Sequence, residues 1–116
     1  MLILPIKKKW FDMIKSGEKK EEYREIKEYY SVRLGKHFFG TPITYGIAEF
    51  YGMITIFKKS DIKHNIEPKE IIFRNGYKSN SPQIKCKCNL SIGYGKEEWG
   101  AESGKKYYVL KILEKE

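Results

Sequence analysis

The sequence predicts a small α+β protein, mostly β, in which a mixed or antiparallel β-barrel carries two short helices. Roughly five or six short apolar or alternating runs are separated by turn residues, two segments have helical spacing, and no strand–helix–strand rhythm recurs. At 116 residues the chain is long enough for one domain whose single core needs neither disulfides nor a metal.

The N-terminal part predicts a strand followed by a helix. Leu2–Leu4 is a continuous apolar run, typical of a strand buried on both faces. Between Lys8 and Ile14 the apolar residues recur at three- and four-residue spacing, which indicates an amphipathic helix, and Gly17 is expected to end it. The lysines at 7–9 oppose the helix dipole, so they form either a phosphate-attracting edge or, as we favour, a solvated turn.

Later segments predict a second helix and the remaining strands. Glu28–Leu34 has helical spacing, and Gly35 is expected to end that helix. Ser60–Pro68 is polar and is expected to be a mobile insertion, whereas Asn75-Gly76 is the strongest signal for a two-residue hairpin turn. The predicted strands are Lys20–Ile26, Ile43–Phe50 (strand or extended loop), Met53–Phe57, Glu70–Arg74, Gln83–Ile92 and Lys105–Leu113.

The amino-acid composition indicates which class of partner the protein is expected to bind. The chain has 23 basic and 15 acidic residues, a net charge of +8, and a pI near 9.4, which favours polyanions and nucleic acid first. Lysines are spread along the sequence and form no basic tail. No run is long enough to cross a bilayer, and the N-terminus lacks a signal-peptide pattern, so we expect a cytoplasmic protein with no membrane partner.

Cys86 and Cys88 are the two cysteines of the sequence. Two apart on a strand, they share a face but are poorly placed to bridge each other. A zinc site would need two more ligands, and His37 and His64 lack ligand-like spacing. We therefore expect reduced, partly buried cysteines, no metal and no cofactor.

Lys19, Glu22 and Arg24 form the candidate site. On a strand, Glu22 and Arg24 point to one face and Tyr23 to the other. Because burying such a charged cluster is costly unless the charges pair, its usual place is a cleft. The alternative is a solvated set of surface ion pairs, which would add little stability.

The motif Gly17-x-Lys19-x-x-Glu22-x-Arg24, after a strand and a helix, resembles the signature of ASCH domains, which belong to the PUA-like superfamily of small β-barrels. The likeness is to small stand-alone bacterial or phage-type members, and it covers nearly the whole chain. Two later stretches also resemble those proteins: Trp99-Gly100 and Tyr107–Leu113. The resemblance implies a PUA-like barrel that binds RNA.

Two similar family members carry enzymatic activity, one as an acetylcytidine amidohydrolase and one as a ribonuclease. The amidohydrolase uses a lysine, a threonine and a glutamate. Its lysine corresponds to Lys19, but its threonine corresponds to Glu22 here, and this departure argues against the same deacetylation mechanism. No residue of this chain is assigned to the glutamate.

The same three side chains allow binding or catalysis. Lys19 could act as a nucleophile or base if desolvation lowers its pKa; Arg24 would favour that, and Glu22 would oppose it. Alternatively, Lys19 and Arg24 contact a phosphate while Glu22 accepts a hydrogen bond from a base amino group. The sequence contains no phosphate-binding loop, dinucleotide fingerprint or His-Glu-x-x-His motif.

Four further residues are candidates for contact with nucleic acid. Tyr77 and Trp99 could stack on unpaired bases, and Arg74 and Asn75 are expected to line the same rim. Trp99 could equally be a core plug, and Tyr77 an ordinary hairpin residue. The leading hypothesis is an RNA- or modified-nucleotide-binding protein, the second is a hydrolase, and the third is an interaction module for an acidic protein.

Overall fold

Helices and strands of the computed structural model are described for residues 1–40 and 67–116. The elements are β1 (Leu2–Pro5), α1 (Lys8–Ser16), β2 (Glu21–Glu25), α2 (Glu28–Phe39), β3 (Lys69–Arg74), β4 (Gln83–Tyr94), a single 3₁₀ turn (Glu97–Trp99) and β5 (Lys106–Lys115). The strands predicted at Ile43–Phe50 and Met53–Phe57, and all but the last two residues of Ser60–Pro68, lie outside the described residues.

The five strands form one mixed sheet in the order β1-β3-β4-β5-β2, which curls into a half-barrel. β1 pairs with β3 in parallel, and the other neighbours pair antiparallel. The predicted α+β class with a mixed sheet and two helices is therefore confirmed. The prediction that β1 is buried on both faces is wrong, because Leu4 is buried while Ile3 is 38% exposed, so only one face of this strand packs on the core.

α1 begins and ends as the sequence predicts. Gly17 takes the left-handed conformation at φ 87°, and its N–H donates to the Ile14 carbonyl at 3.1 Å. The turn that follows brings the backbone of Lys19 against the end of α1, because the Lys19 N–H donates to the Met13 carbonyl at 2.9 Å. This local geometry carries the Lys19 side chain inward at the start of β2.

α2 does not end at Gly35. The helix continues to Phe39, and Gly40 ends it at φ 77°. Gly35 lies buried on the inner face of α2 with Leu34 and Phe38. Glycine in a helix interior costs about 1 kcal/mol relative to alanine, and the packing of these apolar neighbours outweighs that cost.

The prediction of a two-residue turn at Asn75-Gly76 is also wrong. β3 and β4 do form an antiparallel hairpin, but residues 75–82 connect them. The Asn75 N–H donates to the Pro82 carbonyl at 2.8 Å, which closes the loop at its base. Gly76 lies at φ 127°, and an added Cβ there would come within 2.7 Å of the Ser81 hydroxyl. The longer loop carries Tyr77 out into solvent.

The core lies between the inner face of the sheet and the two helices. β4 shows the predicted alternation, with Ile84, Cys86, Cys88 and Leu90 all buried. Burial raises the pKa of Cys86 to about 11 and that of Cys88 to about 12. The cysteines are unbridged as expected, although they are fully and not partly buried.

Two further findings concern residues 1–40 and 67–116. They contain no group of three or more histidine, cysteine, aspartate or glutamate side chains placed to hold a metal. His37 instead forms a 2.7 Å hydrogen bond with the Glu70 carbonyl oxygen. Neither α1 nor α2 is long and apolar enough to cross a membrane.

Candidate functional site

A cleft of about 460 Å³ opens where the start of α1, β2 and two loops meet. Its wall is formed by the end of β1, the start of α1, β2, the β3–β4 loop and the β4–β5 connection. The lining residues are Pro5, Ile6, Lys7, Trp10, Glu22, Tyr23, Arg24, Asn75, Gly76, Tyr77, Trp99 and Gly100. Two of the three predicted site residues, Glu22 and Arg24, are therefore part of the cleft surface.

Glu22 and Arg24 form a buried ion pair at the cleft. The Arg24 Nη2 donates to Glu22 Oε2 at 2.8 Å, and the two side chains are only 11% and 8% exposed, respectively. Their shared orientation on β2 confirms the prediction from two-residue spacing. Charge-assisted bonds of this kind are among the stronger ones in proteins because little water competes for them.

Arg24 is held by two more contacts from separate parts of the chain. Its Nη2 also donates to the Pro5 carbonyl at 3.0 Å, and its Nη1 donates to the Tyr30 hydroxyl at 3.2 Å. The buried Nε has no hydrogen-bond partner among the described residues. Since arginine carries five N–H donors, this guanidinium is fixed in place and still keeps donor capacity.

Lys19 lies behind the cleft and not on its surface. Its side chain is fully buried, its Nζ is 3.2 Å from Glu22 Oε1, and it also donates to the Trp99 carbonyl. The ammonium sits 4.9 Å from the Trp10 ring centroid and 5.0 Å from that of Tyr23. Lys19 is thus enclosed by residues whose other sides face the cleft.

Burial sets the electrostatics of Lys19. Desolvation lowers its pKa below the usual lysine value, Glu22 opposes this by charge and hydrogen bonding, and Arg24 adds a smaller lowering. The three side chains together place two cations around one carboxylate. If all are ionised, this cluster keeps one positive charge in excess, which attracts anionic ligands to the cleft.

Four aromatic residues line the cleft: Trp10, Tyr23, Tyr77 and Trp99. Tyr23 is held by two hydrogen bonds at its hydroxyl, which donates to Glu21 at 2.8 Å and accepts from the Lys96 N–H at 3.0 Å. Tyr77, in contrast, is 89% exposed. The site therefore has an aromatic wall in which Tyr23 is held in place, and one aromatic residue at the rim, Tyr77, that is exposed to solvent.

The close approach of the β4–β5 connection to α1 requires glycine. Gly100 lies at φ 102°, and a Cβ there would be 3.0 Å from the Trp10 ring. Gly95 is under the same constraint, since an added Cβ would come within 2.6 Å of the Tyr23 ring. These glycines bring the Trp99 segment against the two rings that enclose Lys19.

Three of the four residues predicted to contact nucleic acid line the cleft, namely Asn75, Tyr77 and Trp99. Arg74 does not, because its guanidinium turns to β4 and donates to Gln83 Oε1 at 3.1 and 3.2 Å. Trp99 is half-buried at the cleft and is absent from the buried core, so the core-plug alternative is wrong.

Sequence reasoning missed part of the wall. Trp10 belongs to α1, Pro5 ends β1, and Ile6 follows it, whereas Lys7 at the N-cap of α1 is one of the lysines considered above as a phosphate-attracting edge. Tyr30 packs on the core while Tyr29 is 52% exposed, and the Tyr30 hydroxyl accepts from Arg24 beside the cleft. The signal that could have found Trp10 is its place on the helix next to the Gly17–Arg24 motif.

Comparison with known proteins adds no relative: no family model, curated protein or solved structure matches this chain.

Proposed function

We propose that this chain is an ASCH-type, PUA-like domain that binds RNA or a modified nucleotide with one base in the cleft. The observation that carries the proposal is the Glu22–Arg24 pair, bonded at 2.8 Å within a cleft lined by four aromatic residues. A base offers two flat faces for aromatic rings and an edge of donors and acceptors for the charged pair.

The size of the cleft fits this ligand class. Its volume of about 460 Å³ falls within the roughly 300–1,000 Å³ that small-molecule sites occupy. Glu22 uses one carboxylate oxygen for Lys19 and the other for Arg24, and lone pairs remain on both. A base with an exocyclic amino group can therefore donate to Glu22 without displacing either ion pair.

Charge supports the binding of the attached phosphate. Lys7 is exposed at the N-cap of α1 and lines the cleft beside Trp10. Together with the positive charges of Lys19 and Arg24 and the overall charge of +8, Lys7 supports an orientation with the phosphate at the rim and the base inside. Of the two interpretations of the lysines at 7–9, this arrangement favours the phosphate-attracting edge for Lys7.

The hydrolase hypothesis has one supporting observation, the lowered pKa of Lys19. A lysine with a lowered pKa is a better nucleophile or base. However, its Nζ is fully buried and is held by Glu22 and the Trp99 carbonyl. This geometry favours a role for Lys19 in fixing Glu22 over direct attack on a ligand.

Isothermal titration calorimetry with AMP, CMP, GMP and UMP tests the binding proposal. We expect CMP, AMP and GMP, whose bases carry an amino group on the Watson–Crick edge, to bind more tightly than UMP, whose base has none. Affinity should fall as salt rises. Tyr77→Ala should weaken CMP binding about fivefold or more, because loss of base stacking costs about 1–3 kcal/mol. Its melting temperature should not change, since Tyr77 is 89% exposed.

The matched control is Tyr94→Ala, which removes another exposed tyrosine that does not line the cleft. It should leave the affinity for CMP unchanged. Absence of binding for all four nucleotides, or an equal loss in both variants, would contradict the proposal. Mass spectrometry of the same incubations, with acetylcytidine and a short RNA added, reports turnover. Turnover that Lys19→Met abolishes while the melting temperature is kept would establish the hydrolase instead.

A further inference from the structure

We propose that a second binding surface on α2 extends the cleft, so that the ligand is a single-stranded oligonucleotide and not a free nucleotide. The surface consists of Lys27, Tyr29, Tyr30 and Arg33, and is called the α2 surface below. The inference rests on the proposed function, because it assigns the nucleotides next to the one in the cleft.

Direct contacts connect the cleft to the α2 surface. Arg24, on the cleft wall, donates to the Tyr30 hydroxyl at 3.2 Å, and its guanidinium carbon lies 5.5 Å from the Tyr30 ring centroid. The Tyr30 ring meets Tyr29 edge-on at 5.0 Å. An oligonucleotide leaving the cleft beside Arg24 therefore passes over these two rings.

The outer part of the surface is a preformed stack. The Arg33 guanidinium lies 3.4 Å from the Tyr29 ring centroid, and its Nη1 donates to the Tyr29 carbonyl at 3.1 Å. Tyr29 is nevertheless 52% exposed, and Arg33 is exposed as well. Aromatic rings and guanidinium planes are the two platforms on which unpaired bases stack, and here they are already aligned.

Nucleic acid fits this surface better than an acidic protein does. Glu25 and Glu28 are exposed nearby and offset the charges of Lys27 and Arg33, so the surface has little excess charge. Attraction by charge alone would therefore be weak. A tyrosine–arginine pair four residues apart also occurs on ordinary helix surfaces. The Tyr29–Arg33 pair differs from those because Tyr30 connects it to Arg24 on the cleft wall.

The test compares a mononucleotide with an oligonucleotide. Fluorescence anisotropy with a labelled eight-nucleotide RNA of mixed sequence, and calorimetry with CMP, would be run on three proteins. These are the wild type, Tyr29→Ala/Arg33→Ala, and the control Tyr94→Ala/Lys106→Ala. The control removes another tyrosine–cation pair, in which Tyr94 is exposed, Lys106 is partly buried, and the Lys106 Nζ lies 5.7 Å from the Tyr94 ring centroid.

We expect the wild type to bind the RNA at least tenfold more tightly than CMP. The variant Tyr29→Ala/Arg33→Ala should lose about tenfold of the RNA affinity while CMP binding stays within twofold. The control should keep both affinities.

Three results would overturn the inference while leaving the proposed function intact: equal affinity for RNA and CMP, unchanged RNA binding in Tyr29→Ala/Arg33→Ala, or an equal loss in the control. Displacement of the RNA by poly-glutamate at equal charge would also overturn it, since that polymer has no bases to stack. Binding of neither probe would overturn the proposed function and the inference together.

Discussion

Two sets of reactive groups are buried in this protein, and they differ in their surroundings. The thiols of Cys86 and Cys88 lie on the inner face of β4, among apolar side chains. Lys19, Glu22 and Arg24 are nearly as well removed from water, but they are bonded to one another beside an open cleft. The thiols fill space in the core, whereas Glu22 and Arg24 of the charged trio line the cleft.

The comparison shows that burial alone does not mark a functional site. Burial raises the pKa of both thiols, which keeps them protonated and unreactive. In the trio, Glu22 compensates both cations, and Glu22 and Arg24 line the cleft. A group that is buried, paired and adjacent to a cleft is the better candidate.

The largest effect should come from Glu22→Gln, which breaks the trio. The change leaves Lys19 and Arg24 buried without a compensating carboxylate, and removing one partner of a buried ion pair costs about 3–5 kcal/mol. Urea unfolding would measure the free energy of unfolding.

Asp12→Asn is the control for Glu22→Gln, because it removes the exposed Lys8–Asp12 ion pair of 2.6 Å. An exposed pair contributes about 0–1 kcal/mol. A similar small loss for both variants would mean that the trio is no more important to the fold than a surface ion pair.

A smaller loss is expected from Cys88→Ser, which acts on the thiol side of the comparison. A hydroxyl without a good partner in this apolar position costs about 1–3 kcal/mol. Thermal unfolding would measure the loss. CMP affinity should be unchanged in the folded variant, since Cys88 lies outside the cleft. A drop in affinity greater than the drop in folded fraction would contradict the division between the two sets.

A further effect of the thiols should appear only at alkaline pH. Burial raises the pKa of Cys86 from 9.0 to about 11 and that of Cys88 from 9.0 to about 12. A group whose pKa is higher in the folded state than in the unfolded state stabilises the folded protein at pH values below its unfolded pKa. This stabilisation is lost as the pH rises through the folded pKa. Melting temperatures between pH 9 and pH 12 should therefore fall less steeply for Cys86→Ala/Cys88→Ala than for the wild type.

Lys19 changes the stability with pH in the opposite direction to the two thiols. Because burial lowers its folded pKa, deprotonation on raising the pH favours the folded state. Tyr108 acts in the same direction as the thiols, because burial raises its pKa to about 12 and its stabilising effect is lost at high pH. Parallel pH profiles for the wild type and the double cysteine variant would show that the thiols do not contribute to this slope.

Local features of the site could be predicted from the sequence. The end of α1 at Gly17 follows from the one residue that takes a positive φ without cost, and the common face of Glu22 and Arg24 follows from strand periodicity. The inward alternation of β4 follows from the same periodicity. Each of these inferences needs only residues close in sequence.

The remaining features depend on contacts between distant segments. Arg24 meets the Pro5 carbonyl 19 positions away, and Lys19 meets the Trp99 carbonyl 80 positions away. No pattern within α1 or β2 indicates that Lys19 is enclosed, or that Arg74 turns away to Gln83. The failure at Gly35 has the same origin, because tertiary packing of α2 overrides its local propensity.

The parallel pairing of β1 with β3 has a consequence for synthesis on the ribosome. β1 emerges first, yet its partner begins at Lys69, and β2 pairs with β5, which begins at Lys106. Within residues 1–40 and 67–116, both early strands find their partners only in the second half of the chain, so contacts distant in sequence govern the folding rate. The cleft is consequently among the last parts of the protein to assemble, and a nascent chain that stops before β5 leaves the β2 edge, with Glu22 and Arg24, unpaired.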